Sequence, residues 1–396
     1  MEECLLASRT KSPRRVNEIW FLSAPPGEPT VERQAAGMQR FASARGWGVR
    51  MFSREDSRLG KLDVLPERPL GCIVDCIVSW DPGIPRNWSS IPFVFFERQG
   101  RVRCRRSVDV VNDGASVARA AFRELALLRP PAYAVVGHGG KVTWQSVRIR
   151  MFTALAAEAG RTCFVFGRRS EDAATRRDRL EQWLGRLPGR CAVFAVNDEV
   201  ACEVLACCRR IGKSVPKEMS LIGVDNLADR VGWSEPDLSS VSIDFEMAGY
   251  RMAMLLSALV DGKSMEGMKT TYGPLMVVRR KSTGGSGRYD AQVVRAVERI
   301  RREACRGLTA RDVVADFPCS RRLVELRFRE SIGHSILDEI ENVRMMNVSQ
   351  MLRDRAIPLD LVFAHSGYPS VEALRKAFRL RTGQSLTSWR KANSVV

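Results

Sequence analysis

The sequence predicts a two-lobed α/β domain followed by an all-α domain with two helix-turn-helix units. Three observations carry that expectation. From Val16 to about Arg279, short continuous apolar runs alternate with longer amphipathic stretches, the pattern of parallel strands covered on both faces by helices. Residues 281–288, KSTGGSGR, then hold three Gly and two Ser, a composition that makes a flexible linker. Beyond it the strand signal stops, and residues 288–396 carry 20 Lys+Arg against 13 Asp+Glu in successive short helical patterns.

Taken in order, Val16–Ser23 reads as a strand, Val31–Arg45 as a helix, and Gly48–Phe52 as a strand after the helix-ending Gly46. Cys72–Ser79 and Phe93–Phe96 are the next apolar runs. Helix Ser116–Leu128 leads to strand Tyr133–Gly137, helix Ser146–Ala159 to strand Thr162–Phe166, and helix Asp172–Leu187 to strand Cys191–Val196. Helix Glu199–Arg210 and strand Met219–Val224 follow. A span of about 265 residues exceeds one comfortable sheet, so residues 16–280 are expected to form two lobes.

The 396 residues are 45% hydrophobic and 27% charged, enough to bury real cores and too evenly mixed for a disordered or coiled-coil chain. The net charge of +18 favours a polyanionic partner. Eleven cysteines are scattered without a C-x-x-C pair, and His138, His334 and His365 lie far apart. Neither a metal site nor a disulfide framework is expected, and a reducing cytoplasm fits. The amino terminus, MEECLLASRTKSPRR, lacks the apolar stretch of about 7–15 residues that a secretory signal needs. No run of 18 or so apolar residues offers a membrane span.

In residues 289–396, Thr309 is a candidate N-cap for a helix Ala310–Asp316, Phe317-Pro318 breaks it, and Ser320 caps a helix Arg321–Glu330. A helix to His365, a turn at Gly367-Tyr368-Pro369 and a helix from Ser370 repeat that layout, with Ile336–Arg353 as the connecting helix. Two such units about 50 residues apart can reach successive major grooves of double-stranded DNA. Candidate contact residues are Arg321, Arg322 and Glu325 in the first unit and Glu372, Arg375 and Lys376 in the second. Arginine pairs bidentately with guanine, and glutamate accepts from cytosine N4; the alternative is that these are solvated faces of short helices. The stretch Ala364–Arg390, AHSGYPSVEALRKAFRLRTGQSLTSWR, resembles the signature of AraC/XylS-type transcription regulators. In that signature Gly367 ends a helix, Tyr368 packs beneath the turn, Phe378 is core and Gly383 ends the recognition helix. Leu374 and Leu386 depart from the usual Phe and Pro but remain apolar.

A second resemblance covers nearly all of residues 16–280. Ala195–Ala201 (AVNDEVA), Ile211–Asn226 (IGKSVPKEMSLIGVDN) and Leu238–Phe245 (LSSVSIDF) are similar to the sensor domains of LacI/GalR-type repressors, which have the periplasmic-binding-protein-like fold. The resemblance implies a sugar held at the carboxyl ends of the strands, with Asp225, Asn197 and Arg150 on its hydroxyls; Arg148 is a register slip away. A carboxylate, an amide and a guanidinium together match the donors and acceptors of a sugar. Asp225 and Asn197 are alternatively simple turn and helix caps. Trp80 and Asp81 follow the Cys72–Ser79 run, where the indole would stack on a pyranose or else serve as core.

The two resemblances together imply a homodimer that senses D-xylose and activates pentose-utilisation genes, meeting RNA polymerase. Alternatives are a different pentose, a hexose or a polyol as effector, or a constitutive DNA-binding protein whose lobes only dimerise. Gly212-Lys213-Ser214 is not a phosphate loop, because Cys207 stands where that motif needs Gly. Gly137-His-Gly-Gly-Lys141 lacks nucleotide-binding spacing and reads as a loop lining the cleft. No nucleophile–base set or paired catalytic carboxylates declare themselves, so neither an enzyme nor a cofactor is expected.

Overall fold

The computed structural model describes residues 14–23, 27–53, 67–77, 88, 90–98, 104, 106–138, 143–167, 172–227, 234–264, 268–284, 291–332, 334–353 and 357–393. It divides into two compact units, Met1–Asn112 with Phe245–Tyr272, and Asp113–Asp244 with Gly273–Val396. The chain begins in the first with β1 (Arg14–Arg15), β2 (Glu18–Ser23), α1 (Pro29–Ala44), β3 (Gly48–Ser53), β4 (Glu67–Arg68), β5 (Gly71–Asp75), β6 (Phe93–Phe96) and β7 (Ser107–Asn112). It continues in the second with α2 (Gly114–Ala126), β8 (Ala132–Val136), α3 (Thr143–Glu158), β9 (Thr162–Phe166), α4 (Ala173–Arg186), β10 (Cys191–Ala195), α5 (Asp198–Arg210), β11 (Met219–Asp225) and β12 (Ser239–Ile243). It returns to the first for α6 (Phe245–Val260) and β13 (Lys269–Tyr272). It ends in the second with β14 (Pro274–Val278), a 3₁₀ turn Lys281–Thr283, α7 (Ala291–Glu303), α8 (Ala310–Val314), α9 (Arg321–Ile332), α10 (Ile336–Arg353), α11 (Leu359–Ala364), α12 (Val371–Thr382) and α13 (Leu386–Asn393).

The first unit holds a sheet ordered β3-β2-β5-β6-β7-β13, parallel throughout. Every residue of β5 and β6 is buried, which is why these strands read as unbroken apolar runs rather than alternating ones. Trp20, Phe52, Trp88, Phe93 and Phe95 fill one core of this unit, each large side chain adding about 1.5–3 kcal/mol on full burial. On α1 and α6, Arg40 and Glu246 form an ion pair at 2.5 Å.

The second unit holds a sheet ordered β9-β8-β10-β11-β12-β14, parallel except for the antiparallel edge strand β14. The chain order reverses at β8, which has β9 on one side and β10 on the other. At such a switch point the loops leave in opposite directions, opening a crevice at the carboxyl ends of the strands. The helices α7–α10 form their own core around Val297, Ile300, Val324, Phe328, Ile336 and Ile340, and Leu275 and Met276 of β14 pack against it.

Residues 16–280, expected as two lobes, contribute to both units, and the chain passes between them after Asn112, Asp244 and Tyr272. Two features differ from the sequence reading. Strands β7, β12, β13 and β14 and helices α6 and α13 were not anticipated. The linker assigned to 281–288 begins as ordered structure: Lys281–Thr283 is a 3₁₀ turn in which Ser282 and Thr283 are buried. Ser282 Oγ donates to Leu221 O at 2.6 Å and accepts from Ser239 N at 2.8 Å. Composition cannot distinguish a solvated serine from one satisfied by a strand end. Residues 285–290 lie outside the described residues.

Candidate ligand site and nucleic-acid interface

In the second unit the carboxyl ends of β10 and β11 gather a set of polar side chains. Asp225 closes β11 with φ +100°, and Asn226 follows at φ +53°. Two consecutive non-glycine residues in the left-handed region are costly and persist only where neighbours hold them. Here Asn226 N donates to Ser240 Oγ at 3.1 Å, and Asn226 Oδ1 accepts from the Arg280 guanidinium at 2.8 Å. Asp198, fully buried in the first turn of α5, accepts from Ser240 Oγ at 2.6 Å and Leu227 N at 3.0 Å. Burial, with the Asp225 carboxylate beside it, pushes the Asp198 carboxyl up to about 8. A Cβ at position 223 would meet Asp198 Oδ1 at 2.3 Å, so the Ile-Gly step of β11 is what lets α5 sit this close.

Asn197 is the N-cap of α5, its Oδ1 accepting from Val200 N at 3.0 Å. The cap uses the side-chain oxygen only. The guanidinium at these strand ends is that of Arg148 rather than Arg150. Arg148 is buried, lies 4.5 Å over the Trp144 ring and donates to Val196 O at 2.5 Å. Arg150, two residues on, is exposed, since a 200° turn of helix carries it to the opposite side. At the end of β8, Gln145 Oε1 accepts from His138 N at 2.8 Å and Arg176 donates to Gly137 O at 2.8 Å.

In the first unit Trp80 and Asp81 lie outside the described residues. The described carboxyl ends there carry two buried carboxylates that sequence reasoning missed, Asp75 at the end of β5 and Glu97 just after β6. Burial, offset in part by the Ile77 N–H and reinforced by the Glu97 charge, pushes Asp75 up to about 7. Glu97 has φ +57° and accepts from the Asn112 amide.

The helical region is built as two like halves. Thr309 and Asp312 form a reciprocal capping box on α8. Helix α9 then buries Val324 and Phe328 and leaves Arg321, Arg322 and Arg329 exposed. Glu325 is half-buried, and its Oε2 is shielded with no hydrogen-bond partner among the described residues, so the carboxylate is not simply presented outward. In the second half Ser370 caps α12 through Ala373 N at 3.1 Å, Leu374 and Phe378 are buried, and Glu372, Arg375 and Lys376 are exposed. The turn is held by Tyr368, whose hydroxyl donates to Glu341 while Arg344 lies 5.3 Å over its ring. Asn347 donates to His365 O at 2.7 Å, fastening α10 to the end of α11.

Comparison with known proteins agrees with both halves of this description. The periplasmic binding protein-like domain family matches residues 118–283, and the helix-turn-helix domain family matches residues 313–392. The xylose operon regulatory protein of Escherichia coli K12 is 27% identical over 293 residues, covering 72% of this chain and 74% of the relative. That of Haemophilus influenzae is 28% identical over 201 residues, covering 51% and 52%. This chain is a transcription regulator. Its fold is shared end to end with the xylose-binding transcription activator xylR, at TM-score 0.56 and 23% identity over 96% of this chain and 99% of that one. The regulator's sensor part also matches the CelR–cellobiose complex, at TM-score 0.56 and 21% identity over 68% of this chain and 85% of that one. Its relatives are regulators rather than enzymes. Among the described residues no helix is long and apolar enough to cross a membrane.

Proposed function

We propose that the regulator binds a small sugar at the carboxyl ends of β8, β10 and β11 and thereby changes the affinity of its two helix-turn-helix units for double-stranded DNA. The observation that carries this reading is the placement of Asp225, Asn197 and Arg148 at those strand ends within a chain that also bears the helix-turn-helix domain. Similarity to xylose operon regulatory proteins along 72% of the chain makes D-xylose the first sugar to test. The regulator acts as a cytoplasmic homodimer on two half-sites, as an activator working with RNA polymerase; Arg321, Arg322, Glu372, Arg375 and Lys376 face the DNA, with Glu325 the least exposed of the set. A different sugar is the second reading. It is favoured by similarity to the regulator CelR of Thermobifida fusca, 29% identical over 100 residues.

The test is thermal unfolding of the whole protein against D-xylose, L-arabinose, D-ribose, D-glucose and xylitol. A sugar at 100 times its dissociation constant adds about 2.7 kcal/mol to the stability of the part that binds it, a rise of a few degrees. Asp225→Ala removes that rise and leaves sugar-free DNA affinity within about twofold. Equal loss of sugar and DNA binding would show that Asp225 supports the fold rather than the ligand. Absence of a rise with every sugar would overturn the sensor reading.

A further inference from the structure

The turn that presents Asp225 is bonded on two sides to residues that lead into the helical domain. On one side stands Arg280, 2% exposed. Its backbone N–H donates to Ser239 Oγ at 2.7 Å, one guanidinium nitrogen to Leu238 O at 2.6 Å and another to Asn226 Oδ1 at 2.8 Å. Arg280 is the residue immediately before the 3₁₀ turn Lys281–Thr283, which is itself bonded to the amino-terminal parts of β11 and β12 through Ser282 and Thr283. On the other side, Asp225 pairs in register with Ser242 of β12, and Ser242 Oγ accepts from the Arg301 guanidinium at 3.2 Å. Arg301 belongs to α7, the helix whose apolar face builds the core on which the first helix-turn-helix unit is packed.

A guanidinium is a rigid planar donor that loses its bond when the acceptor moves by an ångström or so. Ser242 is 1% exposed, so water cannot replace a lost partner there without rearrangement. Movement of the Asp225–Asn226 backbone therefore alters either the Arg280 bond, at the exit of the chain from the sensor, or the Ser242–Arg301 bond, at the first helix beyond it. We infer that Arg280 and Arg301 are positioning residues that couple the ligand-binding turn to the DNA-binding domain. The inference rests on the sugar-sensing reading above and adds the path by which occupancy is communicated.

The path is tested with a duplex selected by the wild-type protein from a random-sequence pool, titrated with and without saturating D-xylose. For the wild type the two affinities differ by about fivefold or more, the lower end of ordinary coupling. Ser242→Ala removes the acceptor of Arg301 and brings the ratio below about twofold, while sugar affinity and sugar-free DNA affinity each stay within about twofold. Ser242→Thr keeps the hydroxyl and keeps the ratio. Asn226→Gly, which tolerates the left-handed backbone and deletes the side chain that accepts from Arg280, lowers the ratio by the other route. A wild-type ratio retained in both Ser242→Ala and Asn226→Gly overturns the inference, and so does a Ser242→Ala protein that no longer binds sugar. A wild type whose DNA affinity does not respond to sugar overturns the sensing reading itself, and the inference with it.

Discussion

The turn of the second helix-turn-helix unit makes a prediction in which two energetic terms separate cleanly. Gly367 and Gly383 both end helices with left-handed backbones, at φ +78° and +72°. Alanine in that region costs about 1–2 kcal/mol through contact of Cβ with its own carbonyl. At Gly383 a Cβ meets nothing within 4 Å, so Gly383→Ala should cost that amount and no more. At Gly367 the same Cβ would lie 2.4 Å from Ala304 O and 2.6 Å from Cys305 Cα, both backbone atoms of a neighbouring element. Backbone cannot rotate away as a side chain can, so the turn or the 304–306 segment must shift, adding about 1–3 kcal/mol of overpacking. Gly367→Ala should therefore lose about 2–5 kcal/mol.

Urea denaturation of the two variants, followed by far-ultraviolet circular dichroism, reads the difference. Gly383→Asn serves as a control, because asparagine tolerates the left-handed region and should recover most of the Gly383→Ala loss. DNA affinity should fall further for Gly367→Ala than for Gly383→Ala, since the displaced turn sets the entry angle of α12. Equal midpoints for the two alanine variants would refute the steric term and with it the close approach of the Gly367 turn to residues 304–305.

Asp198 is held near 8 in the folded protein against an ordinary 3.8, so the fold binds its proton more tightly than the unfolded chain does. That stabilisation is complete below about 3.8 and is lost as pH rises toward 8; melting midpoints at pH 5 and pH 8 should therefore shift in favour of Asp198→Asn at the higher pH. Burial lifts the Cys191 and Cys208 thiols to about 12, so iodoacetamide at pH 8 should label neither until urea unfolds the chain, as read by mass spectrometry. Arg322→Ala and Arg375→Ala should each lower DNA affinity. A phosphate contact reduces the log–log salt slope by about 0.9, whereas a base contact relaxes selection at one position; a variant showing neither change removes that residue from the interface.

What the sequence disclosed follows from which signals are local. Strands such as Phe93–Phe96 and Cys191–Ala195 are buried on both faces, so their apolar runs are continuous and visible without a partner. Caps at Asn197 and Thr309 act within three residues of themselves and were legible for the same reason. The region between Asp225 and Arg280 was not legible, because Ser239–Ile243 and Phe245–Val260 belong to different units and nothing local marks the crossing. Asp225 and Asn197 became candidates through motif context, and they lie at the carboxyl ends of β11 and β10. The choice between Arg148 and Arg150 depended on the rotation of α3, which a single apolar pattern does not define. Asp198 carried no signal of its own, because the partner that satisfies it in the core, Ser240, lies 42 residues away. Arg280 carried no signal, since its acceptor Asn226 lies 54 residues back.

The size of the response sets how much these few bonds must do. A coupling of about 5–150-fold corresponds to about 1–3 kcal/mol between the two sites. A hydrogen bond with one charged partner contributes about 1.5–3 kcal/mol, and the Asp225–Asn226 turn and its register partner are joined to Arg280 and Arg301 by two such bonds, at 2.8 Å and 3.2 Å. The ligand need strengthen or break only one of them to bias the helical domain. The burial of Ser282 and Thr283 serves the same end, because a connection that flexed freely at residue 281 would dissipate the difference before it reached α7. On the proposed coupling, the ordered stretch up to Thr283 and the Ser242–Arg301 bond are what carry a difference of this size from the Asp225 turn to α7.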